Sequence, residues 1–516
     1  MRKVHILPLI LALVAGLVLM NGTQPVFAAE KGKYGGILKI NHAKAAGRFG
    51  FPLNVRHWDH EYTDFACQTM MRPDPENIGA YQPILATSWE LAPDKSYYIF
   101  HLRKGVKFHD GTDFNAQAAK WNLDFWVRSK RPTLDKVTSI EVIDDYTIKC
   151  HLSSWDSVLI DDFSRQTYMI SPTAYKKHGE KWADTHPVGT GAFKLTEFRR
   201  QSHLKYEKFE DYWETKNGDK LPYLDGIHIT QIGDPMTAIA ALKKGEVDSM
   251  MGIDVVTANE LKATGDYKLQ WIPGLSHVVV MNSMNPESVW SDKRMRAALE
   301  LAIDKETICK SLGYGFVKPF YEIIKYCPGN PGKTIRKYDP EKAKQLMKEA
   351  GHAQGVKVKL TFQAEQNRDF YVALQENLAS VGIQLDLTPV RGAALHKMSF
   401  EPAPGNDLRV EPQRGGPTAV LVGVKETLSS NSVYFPGLKR PAGFDELLNQ
   451  ALAETEWNKI VKLLEQMEER AYNGAMFVPL WNGPLISIHR KFIKDAYFMW
   501  AQIPYPHMEY AWLDKK

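Results

Sequence analysis

The chain has 516 residues, 44% of them hydrophobic, and a formal net charge of +5 from 65 basic and 60 acidic side chains. This length can bury the cores of at least two domains. The charges are mixed along the chain, with neither a basic block suited to nucleic acid nor a long acidic tail. We therefore expect an ordinary soluble multidomain protein that does not bind nucleic acid.

Residues 1–28 are typical of a secretory signal peptide. Arg2 and Lys3 form a positive start, residues 6–20 are almost wholly apolar, and small residues at Ala28–Ala29 mark a cleavage site. The apolar core of about 15 residues is shorter than the roughly 20 that span a membrane, so an uncleaved anchor is the weaker alternative. No cysteine near the cleavage site could accept a lipid. We expect a mature protein free in the periplasm, without stable membrane insertion.

The four cysteines are Cys67, Cys150, Cys309 and Cys327. An oxidising compartment permits disulfides, and four cysteines allow about three connectivities. Buried free thiols are an equally good alternative, and the sequence does not choose between them. The spacing matches no zinc finger.

The first predicted elements are a strand at residues 34–40 and a β-meander at residues 85–116. Tyr98, Phe100 and Leu102 alternate along one meander strand and should share its buried face. Turn-forming residues lie on both sides of this strand. The meander should lead directly into a helix.

Capping residues and alternating patterns predict the later elements. Asn115 can cap the helix that follows the meander, and Asp339 can cap the clearest helix in the chain. A strand at 356–362, a helix at 370–381 and a strand at 384–390 come next. This alternation predicts an α/β lobe.

Five segments together resemble one protein family. They read L-A-T-S-W through F-H-D-G-T-D-F-N-A at 85–116, H-P-V-G-T-G-A-F-K-L at 186–195, P-Y-L-D-G-I at 222–227, A-L-K-K-G-E-V-D at 241–248 and D-K-R-M-R-A-A-L-E-L-A-I-D-K at 292–305. Their order and content resemble extracellular solute-binding protein family 5, the dipeptide, oligopeptide, nickel and glycoside receptors of ABC importers. Ala192 departs from the usual proline.

The resemblance implies an α/β, two-lobed periplasmic-binding-protein fold of class II, large cluster C type, with an extra inserted subdomain and a hinge between the lobes. The strands joining the lobes should cross near 278–282 and 477–482. The implied organisation is a signal peptide at 1–28; lobe I at 29–58, 187–277 and 477–516; an inserted subdomain at 59–186; and lobe II at 278–476.

The implied function is that of a periplasmic substrate-binding protein. It would capture a small solute, peptide-like or another polar organic molecule, in the cleft between the lobes, and deliver it to the permease subunits of an ABC importer. We expect a monomer without catalytic residues, cofactor or metal. Alternatives are a receptor feeding a sensor or chemoreceptor, and a secreted hydrolase, although no G-x-S-x-G or H-E-x-x-H motif is present.

Residues 57–61 offer the one alternative to the expectation that the protein binds no metal. His57, Asp59, His60 and Glu61 lie within five residues and combine imidazole with carboxylate. Loop side chains of this kind are usually solvated, so we predict no metal there. The nickel receptors in the family keep the alternative open.

Four candidate ligand-binding residues follow from the predicted crossings and an adjoining loop. Trp481 lies at the return crossing and Asn282 at the first crossing, while Tyr434 occupies a polar loop with Asn431. Aromatic side chains offer flat apolar walls to a ligand in a closing cleft. We predict that these four residues contact the solute.

A second group of candidates lies in residues 406–419. In peptide-binding members of the family this segment typically ends in Asp-Pro, whose carboxylate pairs with the peptide α-ammonium, whereas Thr418 stands here. A hydroxyl cannot supply that charge. Glu411 is a possible substitute, and Arg409 and Arg414 favour an anionic or hydroxyl-rich ligand. We therefore predict weak binding of ordinary peptides; the alternative is an exposed loop away from the site.

Overall fold

The structure is a computed structural model of the chain. It describes residues 31–55, 59–74, 77–129, 133–165, 167–330, 332–413, 415–416, 419–496 and 508–515. The predicted signal peptide therefore lies outside the described residues. Within them, no helix combines the length and apolar character that crossing a membrane requires.

The strands of the described residues are β1 Ile37–His42, β2 Met71–Pro73, β3 Tyr81–Pro83, β4 Ala86–Leu91, β5 Tyr97–Leu102, β6 Val137–Asp144, β7 Thr147–Leu152, β8 Phe193–Arg199, β9 His203–Lys208, β10 Thr215–Lys216, β11 Asp219–Lys220, β12 Gly226–Thr230, β13 Ser249–Met251, β14 Tyr267–Met281, β15 Lys318–Pro319, β16 Val356–Gln363, β17 Ile383–Val390, β18 Leu408–Gln413, β19 Val478–Arg490, β20 Ile493–Lys494 and β21 Trp512–Leu513.

The α-helices are α1 His60–Thr63, α2 Ala116–Ser129, α3 Leu159–Arg165, α4 Pro172–His178, α5 Glu180–Ala183, α6 Pro235–Lys244, α7 Val255–Ala263, α8 Lys293–Leu301, α9 Lys305–Leu312, α10 Pro340–Glu349, α11 Arg368–Ala379, α12 Gly392–Met398, α13 Val420–Thr427, α14 Phe444–Ala453 and α15 Trp457–Asn473, with 3-10 turns at Pro52–Asn54 and Val289–Ser291.

Local sequence signals account for several of these elements. The Asp339 side chain accepts a hydrogen bond from the Lys342 amide at the start of α10, and Asn115 accepts one from Ala118 at the start of α2, so both predicted caps are confirmed. The first strand begins at Ile37 instead of residue 34. Gly35 and Gly36 have φ of +104° and +88°, so the backbone becomes regularly extended only after them.

One mixed sheet of eleven strands organises the molecule, in the order β17-β16-β18-β14-β19-β13-β1-β12-β9-β8 with β15 on β19. The long strands β14 and β19 pair with each other along both halves of the sheet. We call the half with β13, β1, β12, β9 and β8 lobe I, and the half with β17, β16 and β18 lobe II. Each lobe thus contains parallel strands, and β14 and β19 connect the lobes.

The β-meander forms a separate four-stranded sheet in the order β4-β5-β7-β6. Tyr98, Phe100 and Leu102 are buried on one face of β5, as predicted, and pack with residues of α2 and α3 in a core of their own. We call this meander, with α2 and α3, the subdomain. The domain boundaries predicted from the sequence remain predictions.

All four cysteines are buried and free. Burial raises the pKa of each thiol, to about 12 for Cys309. Of the two alternatives that the sequence left open, the structure has the free thiols.

Candidate functional site

The parallel strands of both lobes end at the same region of the molecule. In lobe I, β1, β12 and β13 are parallel neighbours, and in lobe II β16 is parallel to β17 and β18. The carboxyl ends of both sets point to the place where β14 and β19 pass between the lobes. Ligands of α/β proteins bind outside the carboxyl ends of parallel strands. We take this region, the interlobe cleft, as the candidate site.

Beneath the cleft, the pairing of β14 with β19 is irregular. The register shifts between Pro273 and Ser276 and again between His277 and Val278. We call residues 273–277 of β14 and 481–484 of β19 the crossing segment. Such irregularities interrupt the ladder and let strands bend. The predicted crossing at 278–282 adjoins this segment and the one at 477–482 overlaps it at residues 481–482; both stay predictions.

Two glycines allow the strands of the crossing segment to approach each other. A Cβ atom on Gly274 would lie 2.9 Å from the Gly483 carbonyl oxygen, and one on Gly483 would lie 3.2 Å from His277 Nε2. Leu275, beside Gly274, is exposed. The crossing segment is therefore tightly paired on one side and borders solvent on the other.

Polar side chains of neighbouring strands line up across the crossing segment. Ser276 lies opposite Asn482 on β19 and opposite Gln413 at the end of β18, and Ser276 Oγ donates a hydrogen bond to Asn482 Oδ1. Gln413 Nε2 donates to the Ile323 carbonyl at 2.6 Å, whereas Gln413 Oε1 is buried without a partner among the described residues. This row places neutral hydrogen-bonding groups within the crossing segment, where Ser276 and Gln413 are buried.

His277 and Trp481 form the next row. Their ring centroids are 6.2 Å apart, and Trp481 also packs on Phe370 and Tyr371 of α11 at 5.0 and 5.9 Å. Burial, together with a nearby lysine ammonium, lowers the pKa of His277 to about 4. The imidazole is thus neutral at physiological pH and can donate one hydrogen bond and accept another; its Nδ1 lies 3.4 Å from Gln366 Nε2.

The lobe I side of the cleft is built around His42 at the end of β1. His42 Nε2 contacts the Glu61 carboxylate, and the Tyr62 hydroxyl lies 2.9 Å from His42 Nδ1. In the loop after β1, the backbone amides of Gly47 and Arg48 donate to the Asp59 carboxylate. These contacts fix the loop that follows β1.

The described part of the candidate metal-binding run, Asp59 to Glu61, does not converge on one point. His57 lies outside the described residues, Asp59 binds backbone amides, His60 stacks on Tyr168, and Glu61 binds His42. Among the described residues, no cluster of three or more His, Cys, Asp or Glu side chains is arranged to hold a metal ion. Their polar groups instead organise the loop of lobe I.

The lobe II side of the cleft contains a cavity of about 60 Å³ at the end of β18. Glu411 lines it, is buried, and accepts a hydrogen bond from Ser399 Oγ at 2.7 Å. The Tyr434 ring also lines the cavity and packs on Phe400 at 5.0 Å. The structure thus places Glu411 and Tyr434 together, with Trp481 in the adjoining crossing segment.

The other candidates lie elsewhere or outside the described residues. Arg409 is buried and donates to the carbonyls of Met398 and Glu401, so its guanidinium fixes the end of α12. Asn282 accepts a hydrogen bond from the Asn285 amide in a turn, and Asn431 is exposed. Arg414 and Thr418 are not among the described residues. The roles predicted for all eight candidates remain predictions.

Sequence reasoning missed His277, Gln366 and Gln413. A usable signal was present, because Ser276 and His277 are polar residues at the start of the apolar run Val278–Met281. Glycine inside a strand, as at position 274, is a second signal for a bulge or a close backbone approach. Neither signal identifies the partner strand, which lies about 200 residues away by the register of β14 on β19.

Comparison with known proteins gives consistent matches. Residues 80–411 match the family described as "Bacterial extracellular solute-binding proteins, family 5 Middle". The chain is 29% identical over 436 residues to the glutathione-binding protein GsiB of Shigella flexneri, covering 81% of this chain and 83% of that protein.

Solved structures share the fold. The periplasmic binding protein DppA of Helicobacter pylori, in complex with the peptide STSA, superimposes with a TM-score of 0.74 at 22% identity, covering 94% of this chain and 99% of that chain. NikA of Brucella suis, in complex with Fe(III)-EDTA, gives 0.79 at 23% identity, covering 92% and 99%. The predicted two-lobed fold is thereby confirmed.

Proposed function

Because the chain belongs to the bacterial extracellular solute-binding proteins of family 5, we propose that its interlobe cleft holds the transported solute. The protein is a substrate-binding protein that serves an ABC importer, as the motifs predicted. The observation that carries the proposal for the site is the convergence of the parallel strands of both lobes on the crossing segment.

The solute we propose is a small peptide-like molecule with amide and carboxylate groups. The base of the cleft offers neutral donors and acceptors on His277, Gln366 and Gln413, which suit amides. Trp481 adds an aromatic group to the adjoining row. The relative from Shigella is named for glutathione, and the Helicobacter structure contains a peptide.

Ordinary di- and tripeptides should bind weakly. The position of the family's ammonium-binding aspartate is Thr418, as aligned by sequence, and Glu411 is the substitute we propose. Glu411 is already bonded to Ser399, and its Oε1 lies 3.6 Å from Arg409 Nε, which reduces the negative charge available to an ammonium. Micromolar binding of simple dipeptides, lost in Glu411→Gln, would show that Glu411 nevertheless replaces the aspartate.

Binding should be coupled to closure. A solute that touches both lobes favours the closed state by its differential affinity, and the crossing segment is the hinge that we propose for the motion. The importer would then recognise the closed monomer. No bond is made or broken in this cycle, so the protein should have no catalytic activity.

The direct test is mass spectrometry of small molecules released by denaturing the purified protein, followed by thermal shift and solution scattering with each compound found. We expect a polar organic solute that raises the melting temperature and reduces the radius of gyration. A solute that stabilises the protein without compaction contradicts closure. Turnover of model esters or peptides, abolished by mutating one nucleophile, contradicts a pure binding function.

Export is a separate proposal. The family members are periplasmic binding proteins, and the sequence places a cleavage site between Ala28 and Ala29. N-terminal sequencing of the exported protein should therefore begin at Ala29. A membrane-bound form that retains Met1 contradicts a cleaved signal.

A further inference from the structure

Lys325 brings a buried ammonium to the crossing segment. The residue is 7% exposed and follows Ile323 and Ile324, which belong to the core of lobe II. Its Nζ donates a hydrogen bond to the Gly274 carbonyl at 2.6 Å. Gly274 adjoins Leu275, which is exposed, so the ammonium is bonded to the backbone beside a solvent-exposed residue of the crossing segment.

The described residues supply no counter-ion to this ammonium. Among the described residues, no carboxylate lies within 4.0 Å of Lys325 Nζ, the distance that defines an ion pair. Glu322, three residues earlier, instead accepts a hydrogen bond from the Tyr326 amide at 3.1 Å. Buried lysines are almost always paired.

Lys305 is a second buried lysine of lobe II, and its ammonium does have a carboxylate partner. Its side chain is 1% exposed, and its Nζ forms an ion pair at 2.9 Å with Glu300, which is equally buried. Lys305 also donates to the Phe320 carbonyl. Lys325 has the backbone contact but no carboxylate partner among the residues that the structure describes.

The electrostatics agree with this geometry. Burial lowers the pKa of Lys325 to about 8, and the ammonium in turn contributes to the low pKa of His277. At neutral pH the Lys325 amine is therefore still mostly protonated. Its positive charge faces a neutral imidazole, a backbone carbonyl and the Tyr326 ring, whose centroid lies 4.8 Å from Nζ.

We infer that Lys325 is the binding site for a carboxylate group of the solute in the closed cleft. The ammonium has three donor hydrogens and uses one on Gly274, so a carboxylate can accept another and supply the absent counter-charge. The inference rests on the proposed function, since it places the solute at the crossing segment. It narrows the solute to molecules with a free carboxylate and excludes neutral sugars.

The first test needs no solute. A folded-state pKa of about 8, below the ordinary 10.5, means that the unfolded chain holds this proton more strongly, so the wild type gains stability as pH rises from 8 towards 10. Lys325→Met should be the more stable protein at pH 7, and its advantage should shrink above pH 8. The measurement is denaturant unfolding from pH 6.5 to 9.5, with the exposed Lys337→Met as control. A difference independent of pH would mean that the ammonium is already compensated and would overturn the inference.

The second test compares acids with derivatives in which the C-terminal carboxylate of a peptide, or both carboxylates of glutathione, are neutralised. Calorimetry would compare the peptide Ser-Thr-Ser-Ala with its C-terminal amide, and glutathione with its diethyl ester, on the wild type, Lys325→Met and Lys325→Arg. We expect the wild type to prefer each acid by about tenfold or more, Lys325→Met to lose the preference, and Lys325→Arg to retain part of it.

The outcomes separate this inference from the proposed function. Equal binding of acid and neutral forms by the wild type, or an unchanged preference in Lys325→Met, overturns the role of Lys325 while the cleft remains a binding site. Failure of every compound to bind the wild type contradicts both the proposed class of solute and the inference.

Discussion

The Asp156 carboxylate accepts a hydrogen bond from Lys425 Nζ at 2.9 Å. Asp156 belongs to the subdomain and Lys425 to α13 of lobe II, so the contact joins parts of the protein that the crossing segment does not connect. The Asp156 side chain is 7% exposed and also contacts Lys136 of the subdomain. The buried Asp156 carboxylate thus binds one lysine of the subdomain and one lysine of lobe II.

Neighbouring residues extend this contact. The Ser157 amide and hydroxyl donate to the carbonyls of Leu452 and Ala451 at 2.8 and 3.0 Å, and Lys95 Nζ donates to Ala453 at 2.8 Å. These are last-turn carbonyls of α14, which have no partner within their own helix. A lysine at a helix C-terminus also complements the helix dipole. We call the contact of residues 156–158 and Lys95 with Lys425 and residues 451–453 the clasp.

Removing the lobe II lysine should loosen the clasp. Lys425→Met leaves the Asp156 carboxylate with one lysine partner. A partly exposed ion pair contributes about 1 kcal/mol, so the equilibrium constant between closed and open forms of the solute-free protein should shift several-fold toward the open forms. The measurement is the radius of gyration by solution scattering, which should increase. Lys136→Met is the matched control, since it removes the other partner of Asp156 without touching lobe II. An equal increase in both variants contradicts a clasp between the subdomain and lobe II.

The crossing segment should not tolerate a larger residue at position 274. The Cβ of Gly274→Ala would lie 2.8 Å from the Leu485 side chain and 2.9 Å from the Gly483 carbonyl, so the strands must separate, at a cost of roughly 1–3 kcal/mol. Thermal unfolding should show the loss, and compaction on solute binding should be smaller. Gly233→Ala is the control, because its Cβ meets one atom at an ordinary 3.5 Å. Equal melting temperatures of the two variants would contradict the close approach.

The cysteines should be inert in the folded protein. All four are buried with raised thiol pKa, and the thiolate is the reactive form. A thiol reagent such as Ellman's should modify none of them in the native protein at pH 8 and all four after denaturation. Fewer than four thiols in the denatured, unreduced protein would reveal a disulfide.

Local signals in the sequence predicted local structure well. The alternation of Tyr98, Phe100 and Leu102 identified the buried face of β5, and Asn115 and Asp339 were correctly predicted as caps. Each of these features depends on residues within a few positions of one another. The family motifs, which are also contiguous, led to the correct fold.

The contacts that organise the candidate site are of a different kind. Lys325 and Gly274 are 51 positions apart, and Asp156 and Lys425 are 269 apart. Nothing in the segment around Lys325 reveals that its ammonium is buried, since its contact with Gly274 of β14 forms only in the folded chain. For Arg409 the sequence suggested too much. Its charge led to the prediction that it binds the solute, whereas in the structure its guanidinium donates hydrogen bonds to backbone carbonyls.

The last prediction concerns Asp64, whose carboxyl group lines a cavity of about 90 Å³ between the subdomain and lobe I. Burial raises its pKa to about 8, against the hydrogen bond that the Tyr168 hydroxyl donates at 2.6 Å. In the unfolded chain the group ionises near its ordinary 3.8. Between these two values the folded protein retains a proton that the unfolded chain has lost.

Stability should therefore fall as pH rises from about 4 to 8, at up to about 1.4 kcal/mol per pH unit from this group. Asp64→Asn keeps a neutral side chain of similar shape, so its free energy of unfolding relative to the wild type should improve steadily from pH 5 to pH 8. Denaturant unfolding over that range measures the difference, and Asp266→Asn, which removes an exposed carboxylate, controls for net charge. If the Asp64→Asn curve stays parallel to the wild type, the carboxyl group is ionised in the folded protein and the cavity is more polar than its lining implies.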